Sequence, residues 1–134
     1  MNIFHWQARV YWEDTDGGGI VYYANYLKYL ERARTEWLRS FGISQRQVQT
    51  ELGVVFAVVS LQVDYRQAAR LDDQLSISCS AVLDGGASLN FEQQIHRDSL
   101  DGELLFEATV RIACLDAITL KPRRIPAEIL QGLQ

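Results

Sequence analysis

The sequence predicts an α+β domain in which one antiparallel sheet of about five strands curls around one long helix. Three observations carry this. Five stretches alternate apolar and polar residues with the period of a half-buried strand. One stretch, 24–41, repeats its apolar residues at three- and four-residue steps, as a helix packed on a sheet must. A loop holding Gly17-Gly18-Gly19 joins the first strand pattern directly to that helix.

Taken in order, Phe4, Trp6, Ala8, Val10 and Trp12 form the inward side of the first strand. Tyr26, Leu27, Leu30, Ala33, Trp37, Leu38 and Phe41 then make the apolar face of the helix, with Asn25 near its start. Gly42 suits the left-handed residue just past the helix end. Arg32 with Glu36, and Glu36 with Arg39, are neighbours on successive turns. Ser44-Gln45-Arg46-Gln47 has the pattern of a capping box and predicts a short second helix, closed by Gly53.

Everything after Gly53 reads as strand. Val55, Ala57, Val59, Leu61, Val63 and Tyr65 alternate, and the 54–63 stretch is apolar on both alternations over much of its length. That double pattern predicts a covered edge or a subunit interface. Leu71-Asp72-Asp73 is a turn. Leu75, Ile77, Cys79, Ala81 and Leu83 run to the hairpin signal Asp84-Gly85-Gly86. Leu89, Phe91 and Ile95 follow, then Leu104, Phe106, Ala108, Val110, Ile112 and Cys114. Lys121-Pro122-Arg123-Arg124-Ile125-Pro126 is a basic loop, and 127–133 a short terminal helix.

The 134 residues suit one domain over 1–134, with a core that needs no disulfide. Net charge is −4, which argues against a nucleic-acid binder relying on bulk charge. No run of about 18 apolar residues is present, so no membrane-spanning helix is expected. Met1 to Gln7 lacks the basic and apolar regions of a signal peptide. Cys79 and Cys114 fall on inward strand positions and read as buried reduced thiols of a cytoplasmic protein.

Asp16 is the leading chemical candidate. It lies in a turn that feeds the N-terminus of the long helix, where unpaired N–H groups and the positive dipole end favour developing negative charge. Asp14 reads as structural, binding its own turn. The third glycine of a dinucleotide fingerprint is missing after Gly19, and Asn25 stands where a calcium loop needs Glu. Tyr22, Tyr23 and Tyr26 serve either the core or a pocket wall, and Tyr23 also offers a first-turn N–H. His5 and His96 sit on polar alternations and read as surface histidines. No zinc ligand set is clustered, and no metal or cofactor is called for. Lys121, Arg123 and Arg124 are either a solvated loop or a phosphate clamp.

The segment from Tyr11-Trp12-Glu13-Asp14-Thr15-Asp16 through Gly19-Ile20-Val21-Tyr22-Tyr23-Ala24-Asn25-Tyr26 to Arg39 resembles the hotdog-fold acyl-CoA thioesterases of the 4-hydroxybenzoyl-CoA thioesterase type. The likeness is greatest to the bacterial branch associated with the Tol–Pal system. It extends through Tyr65-Arg66-Gln67-Ala68-Ala69-Arg70-Leu71-Asp72-Asp73 to Lys121-Pro122-Arg123. That branch usually carries His after the first Tyr of the segment, whereas this chain has Tyr23, as hydroxybenzoyl-type enzymes do.

The resemblance implies a hotdog fold and a homodimer or homotetramer. It implies hydrolysis of acyl-CoA to free acid and CoA, with acyl carrier protein as a second thioester donor left open. It places the catalytic carboxylate at Asp16 and the carbonyl-polarising N–H at Tyr23. Substrate contacts fall at Gly19, Tyr22, Lys121 and Arg123. Asp16 acts as nucleophile or as general base. A non-catalytic acyl-thioester-binding module and a hydratase on the same fold stand beside this reading.

Overall fold

The computed structural model describes residues 3–133. Met1 and Asn2, part of the stretch read for a signal peptide, lie outside the described residues. Five antiparallel strands form one sheet: β1 (Phe4–Arg9), β2 (Val54–Tyr65), β3 (Gln74–Leu83), β4 (Ser88–Arg97) and β5 (Leu104–Asp116). Their spatial order is β1-β3-β4-β5-β2, which leaves β1 and β2 at the edges. The long helix α1 (Tyr26–Arg39) crosses one face of the sheet, and α2 (Gln45–Thr50) packs beside β2. A short α3 (Ala127–Gly132) closes the chain.

The alternating patterns become the two sheet faces. Leu75, Ile77 and Cys79 of β3, Leu89, Phe91 and Ile95 of β4, and Val110, Ile112 and Cys114 of β5 are buried with Leu30, Ala33 and Trp37 of α1. Each fully buried large apolar side chain contributes roughly 1.5–3 kcal/mol relative to exposure. Local signals act as expected at the joints. Gly42 and Gly53 take positive φ, and the Ser44 hydroxyl accepts from the Gln47 N–H at 3.1 Å to cap α2.

Five sequence expectations are corrected. β1 ends at Arg9, because Val10 leaves the strand to pair with the 72–73 turn (Val10 N–H to Asp73 O, 2.9 Å). Trp12 then falls in a 3₁₀ turn and is 80% exposed instead of facing inward. α1 begins at Tyr26, two residues later than its periodicity suggests, after a 3₁₀ turn over Tyr23–Asn25. In β2 a bulge between Val58 and Ser60 shifts the register. Phe56 and Val58 therefore sit opposite the inward Cys114 and Ile112, and the Leu61, Val63, Tyr65 alternation holds only beyond the bulge. His96 is half-buried, with an Nδ1 that finds no partner among the described residues, whereas His5 is exposed as expected.

Candidate active site

The loop between β1 and α1 is stitched by its own polar groups. Asp14 accepts the Tyr11 N–H on its carboxylate at 2.8 Å. Its carbonyl oxygen accepts from the Tyr22 N–H and the Asn25 side chain, both at 3.0 Å. Asp14 is thus structural, as its turn chemistry predicts, and Asn25 ties the loop to the helix start instead of capping the helix. Thr15 pairs with Val21 and Ile20 with Arg70 as antiparallel bridges. The result is a small hairpin with Asp16 at its tip.

Asp16 is held by a short-range turn. Its Oδ1 accepts from the Gly18 N–H at 2.7 Å, and its N–H donates to Ile20 O at 2.9 Å. Gly19 has φ +79°, a left-handed conformation that a side chain would strain. The carboxylate is exposed, and its second oxygen makes no hydrogen bond among the described residues. A carboxylate so placed is oriented by its own turn and open to a reactant.

Tyr23 follows two residues after the Thr15–Val21 bridge and opens the helical turn that leads into α1. Its N–H finds no acceptor among the described residues, as expected at the first position of a helical segment. Its carbonyl accepts from the Tyr65 hydroxyl at 2.7 Å. Tyr26 is buried, stacks on Phe106 at 4.9 Å, and accepts the Ala69 N–H on its hydroxyl at 3.0 Å. The helix start is therefore pinned by aromatic packing and two long-range hydrogen bonds. Tyr22 and Tyr23 are exposed, and only Tyr26 belongs to the core.

Ile20, Val21, Tyr23, Tyr26, Tyr65 and Ala68 line a shallow depression of about 250 Å³ at this end of the sheet. A depression of about 570 Å³ lies on the opposite face of the sheet, among Ser78, Glu92, Gln94 and Glu107. It is larger but lined mainly by polar side chains, and it contains none of the candidate residues. Beside it Arg66 bonds Glu107 at 2.9 Å and holds that carboxyl below the usual range.

The sequence-predicted residues divide into two groups. Asp16, Gly19, Tyr22 and Tyr23 come together. Lys121 and Arg123 do not join them within the chain. Arg123 donates to Gly53 O at 2.8 Å and faces Asp116 at 3.4 Å, at the Val54 end of β2. Tyr65, at the other end of that strand, touches Tyr23. Eleven residue steps at about 3.3 Å each separate the two ends by about 36 Å.

Sequence reasoning missed Tyr65 and the pair Arg34–Gln93. Arg34 lies one turn beyond Leu30 on the apolar side of α1, and Gln93 stands on the inward alternation of β4. A polar residue on the inward alternation of β4 and a cation on the apolar side of α1 were the available signals.

Among the described residues no cluster of His, Cys, Asp and Glu could hold a metal ion. No helix is long and apolar enough to cross a membrane. Cys79 and Cys114 are buried and unpaired by disulfide, as their strand positions predict.

Residues 10–133 match the thioesterase-like superfamily. The chain is 43% identical to the acyl-CoA thioesterase YbgC of Haemophilus influenzae over 128 residues, covering 96% of this chain and 92% of that protein. It is 44% identical to the acyl-CoA thioester hydrolase YbgC of Escherichia coli, covering 96% and 93%. A 4-hydroxybenzoyl-CoA thioesterase variant solved with 4-hydroxybenzoyl-CoA shares the fold with a TM-score of 0.88 at 24% identity, over 100% of both chains. Both the five-stranded sheet around a long helix and the hotdog expectation agree with these structures.

Proposed function

The chain belongs to the thioesterase-like superfamily, its reaction is acyl-CoA thioester hydrolysis, and we propose that Asp16 and the Tyr23 N–H carry that reaction. The observation that supports this most is their placement. An unbonded helix-start N–H and an exposed carboxylate flank one short bridge, Thr15–Val21.

The thioester carbonyl oxygen accepts from the Tyr23 N–H. The dipole of the following helix stabilises the oxyanion as it forms. In the nucleophilic route, an Asp16 oxygen bonds to the carbonyl carbon and the C–S bond breaks. The thiolate leaves and takes a proton from solvent, and water then hydrolyses the anhydride and restores Asp16. In the general-base route, Asp16 takes a proton from water, which attacks directly. A thiolate leaves readily in either route, so no metal is assigned a role. Gly19 lets the hairpin backbone approach the substrate, and Tyr22 walls it.

The working unit in this reading is at least a homodimer. β2 is an edge strand of 12 residues with Val58, Val59 and Leu61 exposed, a surface prone to pair with another strand. Two copies joined antiparallel along β2 carry Lys121 and Arg123 of one chain toward the Tyr23 end of the other. That arrangement restores the phosphate clamp that a single chain does not assemble. Acyl carrier protein is a second thioester donor, and a cytoplasmic place beside the Tol–Pal system is the branch-level reading. The whole of 1–134 acts as one domain.

Thiol release from short, long and aromatic acyl-CoAs, measured with wild type and Asp16→Asn side by side, tests the assignment. Asn keeps the size and the bond from Gly18 but cannot attack or take a proton. Activity is expected to fall by at least about 10²-fold. Near-normal turnover in the variant removes Asp16 from the reaction. Binding without release in wild type favours an acyl-binding module.

A further inference from the structure

The Asp16 hairpin rests on residues 68–73, which run between β2 and β3. The Leu71 N–H donates to Gly19 O at 3.1 Å and the Val21 N–H to Ala69 O at 2.8 Å, around the Ile20–Arg70 bridge. Further along, the Asp72 N–H donates to Val10 O at 3.0 Å, and the Val10 N–H to Asp73 O at 2.9 Å. The Ala69 N–H donates to the hydroxyl of Tyr26, the first residue of α1, at 3.0 Å. One short segment therefore carries both the hairpin that presents Asp16 and the head of the helix behind Tyr23.

Arg97, the last residue of β4, grips both ends of that segment. It forms an ion pair with Asp73 and donates from Nη2 to Ala68 O at 3.1 Å. The Asp73 carboxylate also accepts the Arg70 N–H at 2.8 Å, which joins the guanidinium to the middle of the segment. Nε and Nη2 of Arg97 donate to Glu103 as well, at 3.2 and 3.0 Å. Arg9 of β1 adds a single bond, to Asp72 O at 2.8 Å. The Arg97 and Asp73 side chains are only 23% and 19% exposed, so solvent screens their pairing less than it screens a surface pair. A guanidinium holds its donors in one rigid plane, so acceptors that meet it together are fixed relative to one another.

We propose that Arg97 is a positioning residue for the thioester reaction: by holding residues 68–73 at both ends, it sets the Asp16 carboxylate against the Tyr23 N–H. This rests on the reading that those two groups carry the reaction. Arg97 bonds neither of them and acts through paired backbone. Residues 69–71 are bonded to 19–21, and Ile20 O accepts the Asp16 N–H at 2.9 Å. Backbone paired in this way shifts as a unit, so a segment released at its ends carries the carboxylate with it. A misplacement of about 1 Å caused far from the chemistry can lower a rate by about 10²-fold.

The test measures thiol release from acyl-CoA by Arg97→Met, well below the thermal transition of the same sample. kcat is expected to fall about tenfold with little change in KM, because only the placement of reacting groups is lost. Arg97→Lys still pairs with Asp73 but lacks the fork, and is expected to recover part of the loss. Once Asp16 is disabled its placement no longer matters. Arg97→Met in the Asp16→Asn background is therefore expected to change the residual rate by less than about twofold. An unchanged kcat in folded Arg97→Met, a loss carried by KM alone, or the same fractional loss in both backgrounds overturns the inference and leaves the thioesterase reading intact. If Arg97→Met does not fold, Asp73→Asn, which removes the charge and keeps an acceptor for the Arg70 N–H, takes its place with the same outcomes. No release from any ester by the wild type, or full activity in Asp16→Asn, overturns the underlying reading instead.

Discussion

Tyr65 donates its hydroxyl to the carbonyl oxygen of Tyr23 at 2.7 Å, across 42 residues of sequence. This bond joins the end of β2 to the turn that presents the Tyr23 N–H. Tyr65 also packs edge-on against Tyr26 and Phe106, at 5.3 and 5.0 Å. Burial raises its pKa, so the hydroxyl stays a donor at neutral pH.

Tyr65→Phe keeps the ring contacts and removes only the hydroxyl. One hydrogen bond contributes about 1 kcal/mol net, so a small drop in thermal stability is expected. A kcat reduced about five- to tenfold with little change in KM would show that the bond orients the N–H for the transition state. Kinetics indistinguishable from wild type would confine Tyr65 to a structural role.

Subunit mixing tests where the basic loop acts. Lys121→Ala/Arg123→Ala is expected to raise KM for acyl-CoA more than it lowers kcat, because binding common to ground and transition states is lost. Asp16→Asn retains the basic loop, and the double variant retains the carboxylate. If the two parts of one site come from different chains, a mixed dimer contains one intact site. Refolding the variants together should then restore activity with a near wild-type KM. No recovery on mixing places clamp and carboxylate on the same chain, or the clamp nowhere.

Val59→Lys addresses the β2 edge. Val59 is 56% exposed beside the bulge, so the change leaves the core of a single chain untouched. A lysine on an edge strand blocks strand-to-strand pairing. Sedimentation or light scattering should report a folded monomer with little thioesterase activity. A dimer that persists with full activity would place the interface elsewhere.

The buried thiols set a pH dependence. Burial pushes Cys79 up to about 12 and Cys114 up to about 11. Unfolded cysteines ionise near about 8.5, so above that pH the unfolded chain sheds protons that the folded chain keeps. The thiol contribution to stability in urea should be flat below that point and fall as pH rises beyond it. Burial and the nearby Asp14 raise Tyr29 as well, which extends the fall above about pH 10. At neutral pH the native protein should show no reactive thiol, and its two cysteines should react only in denaturant. Fast reaction of either in the native state would contradict its burial.

Much of the fold was legible because strand and helix periods are properties of neighbouring residues. Leu75, Ile77 and Cys79 alternate inward because a strand has a period of two, and Leu30, Ala33 and Trp37 line one side of a helix. The loop carrying Asp16 was legible for a related reason. Asp16, Gly19 and Tyr23 lie within eight residues, so chain order alone sets them at the head of the helix. Trp12 was misread because the pattern continued past the point where Val10 bonds the 72–73 turn. Nothing in Phe4 to Trp12 announces that partner.

The sequence by itself determined five strands, one long helix and an acid at the helix start, since local sterics and burial patterns dictate them. Tertiary structure alone decided the rest. The β2–β5 ladder with its bulge chose which β2 side chains face the helix and brought Tyr65 onto Tyr23. Sheet order put Lys121 and Arg123 at the far end from Asp16, and the crossing of α1 over β4 set Arg34 against Gln93. Each is a contact between residues far apart in the chain, where the pairing register of whole strands, and not any local period, decides which groups meet.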